Sequence, residues 1–149
     1  NEMSFEYIPQ GYKFNGTLHN LPLSLNKLMV TSAPFNQPLK LPPKLHILKI
    51  ASETYNNELN LPTQLQVLEF RSDVFNKEIM LPLSLHTFGL CAFCFNYPLN
   101  NMNGKIKNLK LKYCTILSHP ITNFNALESV EIYVCNKLPL DDKIKAMMG

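Results

Sequence analysis

The sequence has little of what characterises nucleic-acid binders, phosphate-binding enzymes or membrane proteins. Its 149 residues contain no tryptophan, five glycines and a single arginine, Arg71, among 14 basic residues. Specific base contacts and bidentate phosphate contacts lean on arginine, so nucleic-acid binding is disfavoured. The scarcity of glycine disfavours a phosphate-cradling loop. No apolar run approaches the roughly 18 residues of a membrane-spanning helix, and no signal-peptide pattern is visible.

Catalytic motifs are also missing from the sequence. It contains no G-x-S-x-G, P-loop, H-E-x-x-H or dinucleotide-binding pattern. We therefore predict a protein that is not an enzyme, with no cofactor, metal or small-molecule substrate. The composition, 46% hydrophobic and 17% charged, is that of a folded domain. The chain begins at Asn1 without a methionine, which fits a fragment or processed product of a longer protein.

A short sequence repeat organises most of the chain. Leu-Pro recurs at 21, 41, 61 and 81, and each full unit reads L-P-x-x-L-x-x-L-x-L-x-x-x-x-F-N-x-x-L-x. An aromatic residue followed by asparagine recurs as Phe14-Asn15, Phe35-Asn36, Tyr55-Asn56, Phe75-Asn76 and Phe95-Asn96. A fixed period of about 20 residues is the signature of stacked structural repeats.

The segment L-x-x-L-x-L predicts one short β-strand in each unit. Its last two apolar positions, such as Leu48 and Ile50, alternate with period two and so share an inward face. A unit of about 20 residues is too short for a strand, a crossover helix and two turns, and prolines oppose helix on the return path. We therefore predict a β-rich, right-handed solenoid resembling leucine-rich repeats, with about seven turns of about 20–21 residues, one parallel sheet and little helix.

The aromatic–Asn pairs are predicted to be structural. Stacked units place the rings in a column, and each asparagine can satisfy backbone groups where the chain bends away from the strand. Asn15-Gly16-Thr17 also matches the glycosylation acceptor pattern. Because Asn15 is the first member of the asparagine column, we favour the structural interpretation.

Beyond Leu99 the repeat changes and becomes slightly longer. The segments 106–116 and 127–138 follow L-x-x-L-x-L-x-x-C, the general leucine-rich pattern. We predict a single repeat domain over 1–149: a degenerate N-terminal turn at 1–20 with a strand at Ser4–Ile8, four repeats at 21–100, and two variant repeats with the C-terminal end at 101–149. Asp141-Asp142 indicates either a capped terminal helix or the start of a further unit.

Four cysteines raise the question of a zinc site. Cys91 and Cys94 form a C-x-x-C, but Cys94 and Cys135 lie two turns apart, roughly 10 Å, which is too far for one tetrahedral zinc site. Cys114 and Cys135 occupy the same repeat position in neighbouring turns, close enough for a disulfide on distance alone. That position is usually a buried ladder residue, so we favour reduced structural thiols.

The outward strand positions vary where the inward positions are uniform. A solenoid core dictates its repeated residues, whereas the exposed strand side is free to specialise for a partner. Ile47 and Val67 are apolar residues predicted to face water beside Lys49, Glu69 and Arg71, as at a binding surface with a charged rim. The alternative is an unconstrained surface with scattered apolar residues. The candidate partner-binding residues are Lys27, Met29, Ile47, Lys49, Val67, Glu69, Arg71, Lys110, Lys112 and Tyr133.

Units 21–100 resemble the FNIP repeat, a short leucine-rich variant of social amoebae and giant DNA viruses. The resemblance rests on L-P-x-x-L-x-x-L-x-L and on Phe-Asn. The Ile-Pro of the family appears only as Gln37-Pro38 and Tyr97-Pro98, so these are diverged copies. In giant-virus members the array often follows an F-box, which recruits a cullin-type ubiquitin ligase.

The resemblance implies a non-enzymatic protein-interaction module. It further implies the substrate-recognition arm of a ligase adaptor within a longer chain, located in the host cytoplasm or, if viral, in the virion. The alternative is a structural repeat protein packed into a viral or cellular assembly. The expected partner is a protein; nucleic-acid binding has only a lysine cluster in its favour, at Lys105, Lys107, Lys110 and Lys112.

Overall fold

The structure, a computed structural model, describes residues 8, 11, 13–99 and 104–148. Six strands form a single sheet in chain order, and each pairs with the next in parallel. The strands are β1 (Lys27–Thr31), β2 (Ile47–Ser52), β3 (Val67–Ser72), β4 (Thr87–Cys91), β5 (Asn108–Lys112) and β6 (Ser129–Tyr133). The predicted β-rich solenoid with one parallel sheet is confirmed. The predicted strand at Ser4–Ile8 falls on residues 4–7, outside the described residues.

Equivalent positions of neighbouring units pair directly. Leu48 lies opposite Leu28 on one side and Leu68 on the other, and the column continues through Phe88 and Leu109. Strands pair in the same register in the units before Leu99 and in the slightly longer units beyond it. The additional length of the later units therefore lies outside the strands. Columns of inward side chains thereby form a continuous core that no single unit could bury alone.

Two bends recur in the full units and account for the regular spacing of their residues. The Leu-Pro turn is closed by a hydrogen bond from the N–H of the third residue after proline to the proline carbonyl, as in Leu45 to Pro42 at 3.2 Å. A second turn follows the strand, where the N–H of Phe35 donates to the carbonyl of Ser32 at 3.1 Å. This second turn directs the aromatic ring into the core, where Phe35 is fully buried.

A short helix, α1 (Asp142–Met148), packs against the last strand. The Asp141 carboxylate accepts a hydrogen bond from the N–H of Ile144 at 2.8 Å, which is the geometry of a helix N-cap. Ile144 is buried against the core. The capped helix predicted for this segment is therefore confirmed. Within the residues described, no helix combines the length and apolarity that crossing a lipid bilayer requires.

Candidate partner-binding face

The aromatic residues of the repeat stack in a column through the core. The ring centroids are 5.9 Å apart for Phe14–Phe35 and Phe35–Tyr55, 6.5 Å for Tyr55–Phe75 and 6.0 Å for Phe75–Phe95. The last four rings are fully buried, whereas Phe14 is 48% exposed. Their near-parallel stacking holds successive turns in contact, and burial leaves the last four rings unavailable to a ligand.

The asparagine column links each turn to the next. The side-chain oxygens of Asn15, Asn36, Asn56 and Asn76 each accept a hydrogen bond from the backbone N–H of the asparagine one turn later, at 2.9, 3.0, 3.0 and 3.3 Å. Asn96 ends the column by accepting from the N–H of Ser118 at 3.0 Å. These side chains satisfy backbone donors in the bends, so they act within the fold.

A buried serine column was missed by sequence reasoning. The hydroxyls of Ser32, Ser52 and Ser72 donate to the carbonyls of Phe14, Phe35 and Tyr55 at 2.7, 2.8 and 2.7 Å. Serine recurs at the same repeat position at the end of each of these strands, which was the available signal. The column ends at Ala92, where the repeat begins to change.

The strand face, defined as the outward side chains of β1 to β6, carries the candidate partner-binding residues. Ile47 and Val67 are in register on β2 and β3, and both are half-buried. Beside them, the Lys49 ammonium and the Glu69 carboxylate form an ion pair of 2.5 Å. At the two ends of the face, Met29 is 46% exposed and Tyr133 is 54% exposed, and Lys27 is also exposed.

One outward column of the strand face departs from expectation, because three of its members are buried. The sequence pattern predicts that this column faces solvent, and it consists of Thr31, Ala51, Arg71, Cys91, Lys112 and Tyr133. Ala51, Cys91 and Lys112 are only 4%, 2% and 8% exposed, so the prediction that they face solvent is wrong. Ala51 and Cys91 are short, and the longer Arg71 stands in register between them. The charges of Arg71 and Lys112 lie close to the Cys91 thiol, whose pKa burial raises to about 11. Arg71 itself pairs with Asp73 at 3.7 Å.

The lysine cluster of the last turns is paired with acidic residues. Lys110 and Lys112 each place their ammonium 2.8 Å from the Glu131 carboxylate. Hydrogen bonds from Lys110 and then Lys112 lower the pKa of Glu131. Lys107 pairs with Glu128 at 2.8 Å. This pairing weakens the case for a nucleic-acid site.

The four cysteines are free thiols in distinct environments. Cys94 is exposed and Cys91 is buried. Cys114 is fully buried, and its thiol donates to the carbonyl of Lys112 at 3.5 Å, whereas the thiol of half-buried Cys135 donates to the carbonyl of Tyr133 at 3.4 Å. Interaction between the two thiols lowers the pKa of Cys135 to about 7 and, together with burial, raises the pKa of Cys114. Among the described residues, no three His, Cys, Asp or Glu side chains gather in an arrangement that could hold a metal ion.

Surface concavities lie both on and off the strand face. A notch of about 140 Å³ opens on the strand face around Gly89. A groove of about 580 Å³ lies on the return side, between side chains that include Glu58, Lys77, Met80 and Tyr97. A partner therefore has two distinct kinds of surface to engage.

These features define the class of the protein: a parallel β-solenoid built of short, leucine-containing repeats. A comparison of the chain with family models, with curated proteins and with solved structures gave no match.

Proposed function

We propose that the protein is a non-enzymatic interaction module that binds a protein partner on its strand face. The observation that carries this proposal is the contrast between the two sides of the sheet. The inward columns repeat the same apolar residues, whereas the outward columns combine apolar, aromatic and ion-paired charged residues. Core packing explains why the inward columns are uniform, but it does not explain the composition of the outward columns.

The centre of the strand face has the composition of a binding surface. Ile47 and Val67 stand in register on neighbouring strands, about 5 Å apart, and form a small apolar centre. The Lys49–Glu69 ion pair is only 18% and 22% exposed on its two side chains, so it is held in place before a partner arrives. A fixed charged rim beside an apolar centre favours specific association at a low ordering cost.

In a longer parent chain, we propose that this module is the substrate-recognition arm of an F-box ubiquitin ligase adaptor. The support is the resemblance of units 21–100 to the FNIP repeat, from which we also propose a location in the host cytoplasm or in a virion. Binding a substrate requires no chemistry of the module itself, which agrees with the lack of catalytic motifs in the sequence.

A second candidate function is structural packing into an assembly, and exposed apolar residues outside the strand face favour it. Leu23, Leu83 and Met80 are 75%, 70% and 60% exposed. Met80 lines the 580 Å³ groove on the return side. Contacts through these residues would leave the strand face open.

The test compares two double variants in the capture of a partner from amoebal host lysate, with the contact surface mapped by cross-linking mass spectrometry. Ile47→Asp with Val67→Asp should weaken capture by at least about tenfold, because charges replace the apolar centre. The control, Met80→Asp with Leu83→Asp, should capture normally. Circular dichroism establishes that both variants are folded. The opposite pattern supports the assembly function, and capture unaffected by either variant refutes binding at both surfaces.

A further inference from the structure

Three aromatic side chains, which we call the aromatic row, lie in contact across the last turns of the solenoid. The ring centroids of Phe93 and Tyr113 are 5.5 Å apart, and those of Tyr113 and Tyr133 are 5.4 Å apart. Tyr113 is half-buried between its two neighbours. Phe93 is 39% exposed and Tyr133 is 54% exposed, so the contacts within the row leave much of both outer side chains open to solvent.

The packing of the repeat does not require aromatic residues at the two ends of the row. At the repeat position of Phe93, the preceding units carry small or acidic residues, namely Ala33, Glu53 and Asp73. The strand position of Tyr133 is occupied in the preceding turns by Thr31, Ala51, Arg71, Cys91 and Lys112. The aromatic row is therefore a feature of the last turns and is separate from the buried aromatic column of the repeat.

The aromatic row offers ring faces and phenolic hydroxyls instead of charge. Lys112, which stands in register with Tyr133, is 8% exposed and pairs with Glu131. None of the residues that the structure describes forms a hydrogen bond with the hydroxyl of Tyr113 or Tyr133. Both hydroxyls are therefore available as donors to a ligand. A surface of this kind favours a ligand with apolar faces and uncompensated carbonyl groups over a charged one.

A polyproline II helix matches the aromatic row in length and in chemistry. It has three residues per turn and rises about 3.1 Å per residue, so residues on one ridge recur about every 9 Å. The row runs from the turn after β4 to β6, which is two strand spacings or about 10 Å. The backbone of this helix forms no internal hydrogen bonds, so its carbonyls can accept from the tyrosine hydroxyls. Grooves lined by aromatic residues commonly recognise proline-rich segments.

We infer that the aromatic row binds a proline-rich segment of a partner protein in the polyproline II conformation. Two prolines, three residues apart, pack on the outer rings of Phe93 and Tyr133, and carbonyls of the segment accept hydrogen bonds from the tyrosine hydroxyls. Because this helix is largely formed before binding, little entropy is lost when it docks. The inference rests on the proposed function, since Tyr133 belongs to the strand face, and it names the kind of segment that the partner presents.

The test uses random peptides displayed on phage and selected on the immobilised wild-type protein. Enriched peptides should contain Pro-x-x-Pro, and replacing either proline with alanine in a synthetic copy should weaken binding. Enrichment of peptides without this spacing, or no enrichment, overturns the inference. An oligothymidylate competitor should leave the peptides bound. Displacement of the peptides by this competitor would assign the row to single-stranded nucleic acid, and that result also overturns the inference.

Variants of the protein then locate the binding of an enriched peptide by fluorescence anisotropy. Phe93→Ala and Tyr133→Ala should each reduce affinity at least about tenfold, because each removes one outer ring. Tyr133→Phe keeps the ring and removes one donor, so it should reduce affinity less than Tyr133→Ala. The matched control is Tyr97→Ala, which removes a ring that is 37% exposed on the return side and should leave affinity unchanged. Equal affinity for wild type and Tyr133→Ala contradicts the inference.

The failure of this inference and the failure of the proposed function give different results in capture from host lysate. If the Ile47 and Val67 double variant loses its partner while Tyr133→Ala retains it, the strand face binds a partner but the aromatic row does not take part. If both variants retain the partner, the proposed function fails as well. Thermal melts of every variant exclude unfolding as the cause.

Discussion

The hydroxyl of Ser52 donates a hydrogen bond to the backbone carbonyl of Phe35, one turn earlier, over 2.8 Å. The same oxygen accepts a hydrogen bond from the N–H of Thr54 at 3.1 Å. Ser52 is fully buried, and its hydrogen bond to Phe35 is buried as well. A single hydroxyl therefore connects the end of one strand to the bend of the preceding turn.

Replacing Ser52 with alanine should destabilise the protein by about 1–3 kcal/mol, because a buried carbonyl and a backbone N–H both lose a partner. Urea denaturation followed by circular dichroism measures the change. The matched control is Ser24→Ala, an exposed serine in a turn, with an expected change within about 0.5 kcal/mol. Equal effects of the two substitutions would show that the buried hydrogen bonds contribute nothing to stability.

Tyr55→Phe should stabilise the protein by about 1 kcal/mol, because the substitution relieves an uncompensated desolvation cost. The Tyr55 hydroxyl is buried and has no hydrogen-bond partner among the described residues. The ring keeps its place between Phe35 and Phe75, where phenylalanine is the usual residue. A destabilised variant in urea melts would contradict this expectation.

The pH dependence of the Tyr55 variant provides a second measurement. Burial raises the pKa of Tyr55 above its ordinary value of 10. Above that pH the unfolded state loses a proton that the folded state retains, so the stability of wild type falls as pH rises. The Tyr55→Phe variant lacks this contribution, and its advantage should therefore grow above about pH 10.

Phe75→Ala should cost about 3–5 kcal/mol in urea denaturation, because it removes a fully buried ring from the aromatic column and leaves a cavity. Phe93→Ala makes the same chemical change at a ring that is 39% exposed, and it should cost less than about 1 kcal/mol. Similar losses for the two variants would mean that the assignment of inward and outward positions is wrong.

Cys135 should be the most reactive thiol at neutral pH. Interaction with the Cys114 thiol lowers the pKa of Cys135 to about 7, and Cys135 is only half-buried. Iodoacetamide labelling, quantified by mass spectrometry, should modify Cys135 faster than the exposed Cys94, with a midpoint near pH 7. Cys114→Ala should slow the labelling of Cys135 at neutral pH. An unchanged rate in that variant would rule out the Cys114 thiol as the cause.

The same thiol pair predicts a rise in stability between pH 7 and pH 9. In this window Cys135 is ionised in the folded state, while the unfolded thiol, with a pKa of 9.0, still binds its proton. The unfolded state therefore binds more protons, and the free energy of unfolding increases with pH. Above pH 9 the free energy of unfolding should fall again with pH. The raised pKa of Cys114 keeps its proton in the folded state, whereas the unfolded thiol loses it. Urea midpoints at pH 7 and pH 9 should differ in wild type and converge in Cys114→Ala.

The sequence by itself determines the fold of the described units. Leu-Pro recurs at 21, 41, 61 and 81, and apolar residues such as Leu48 and Ile50 alternate within each strand. Every unit must bury its apolar side against its neighbours, so equivalent positions have to pair in register. Leu28, Leu48 and Leu68 pair in that way. The regular spacing of the aromatic–Asn pairs likewise indicates that an asparagine recurs at the bend of each turn.

The tertiary structure alone decides which outward residues a partner can reach. Ala51, Cys91 and Lys112 occupy outward positions but are buried, because exposure depends on the length of side chains on neighbouring strands. Gly89 stands in register between Glu69 on β3 and Lys110 on β5, both of which are ion-paired. The notch exists because Gly89 has no side chain to fill the space between them. Period-two alternation gives the direction of a side chain, whereas its accessibility is set by neighbours that lie one whole repeat away in the chain.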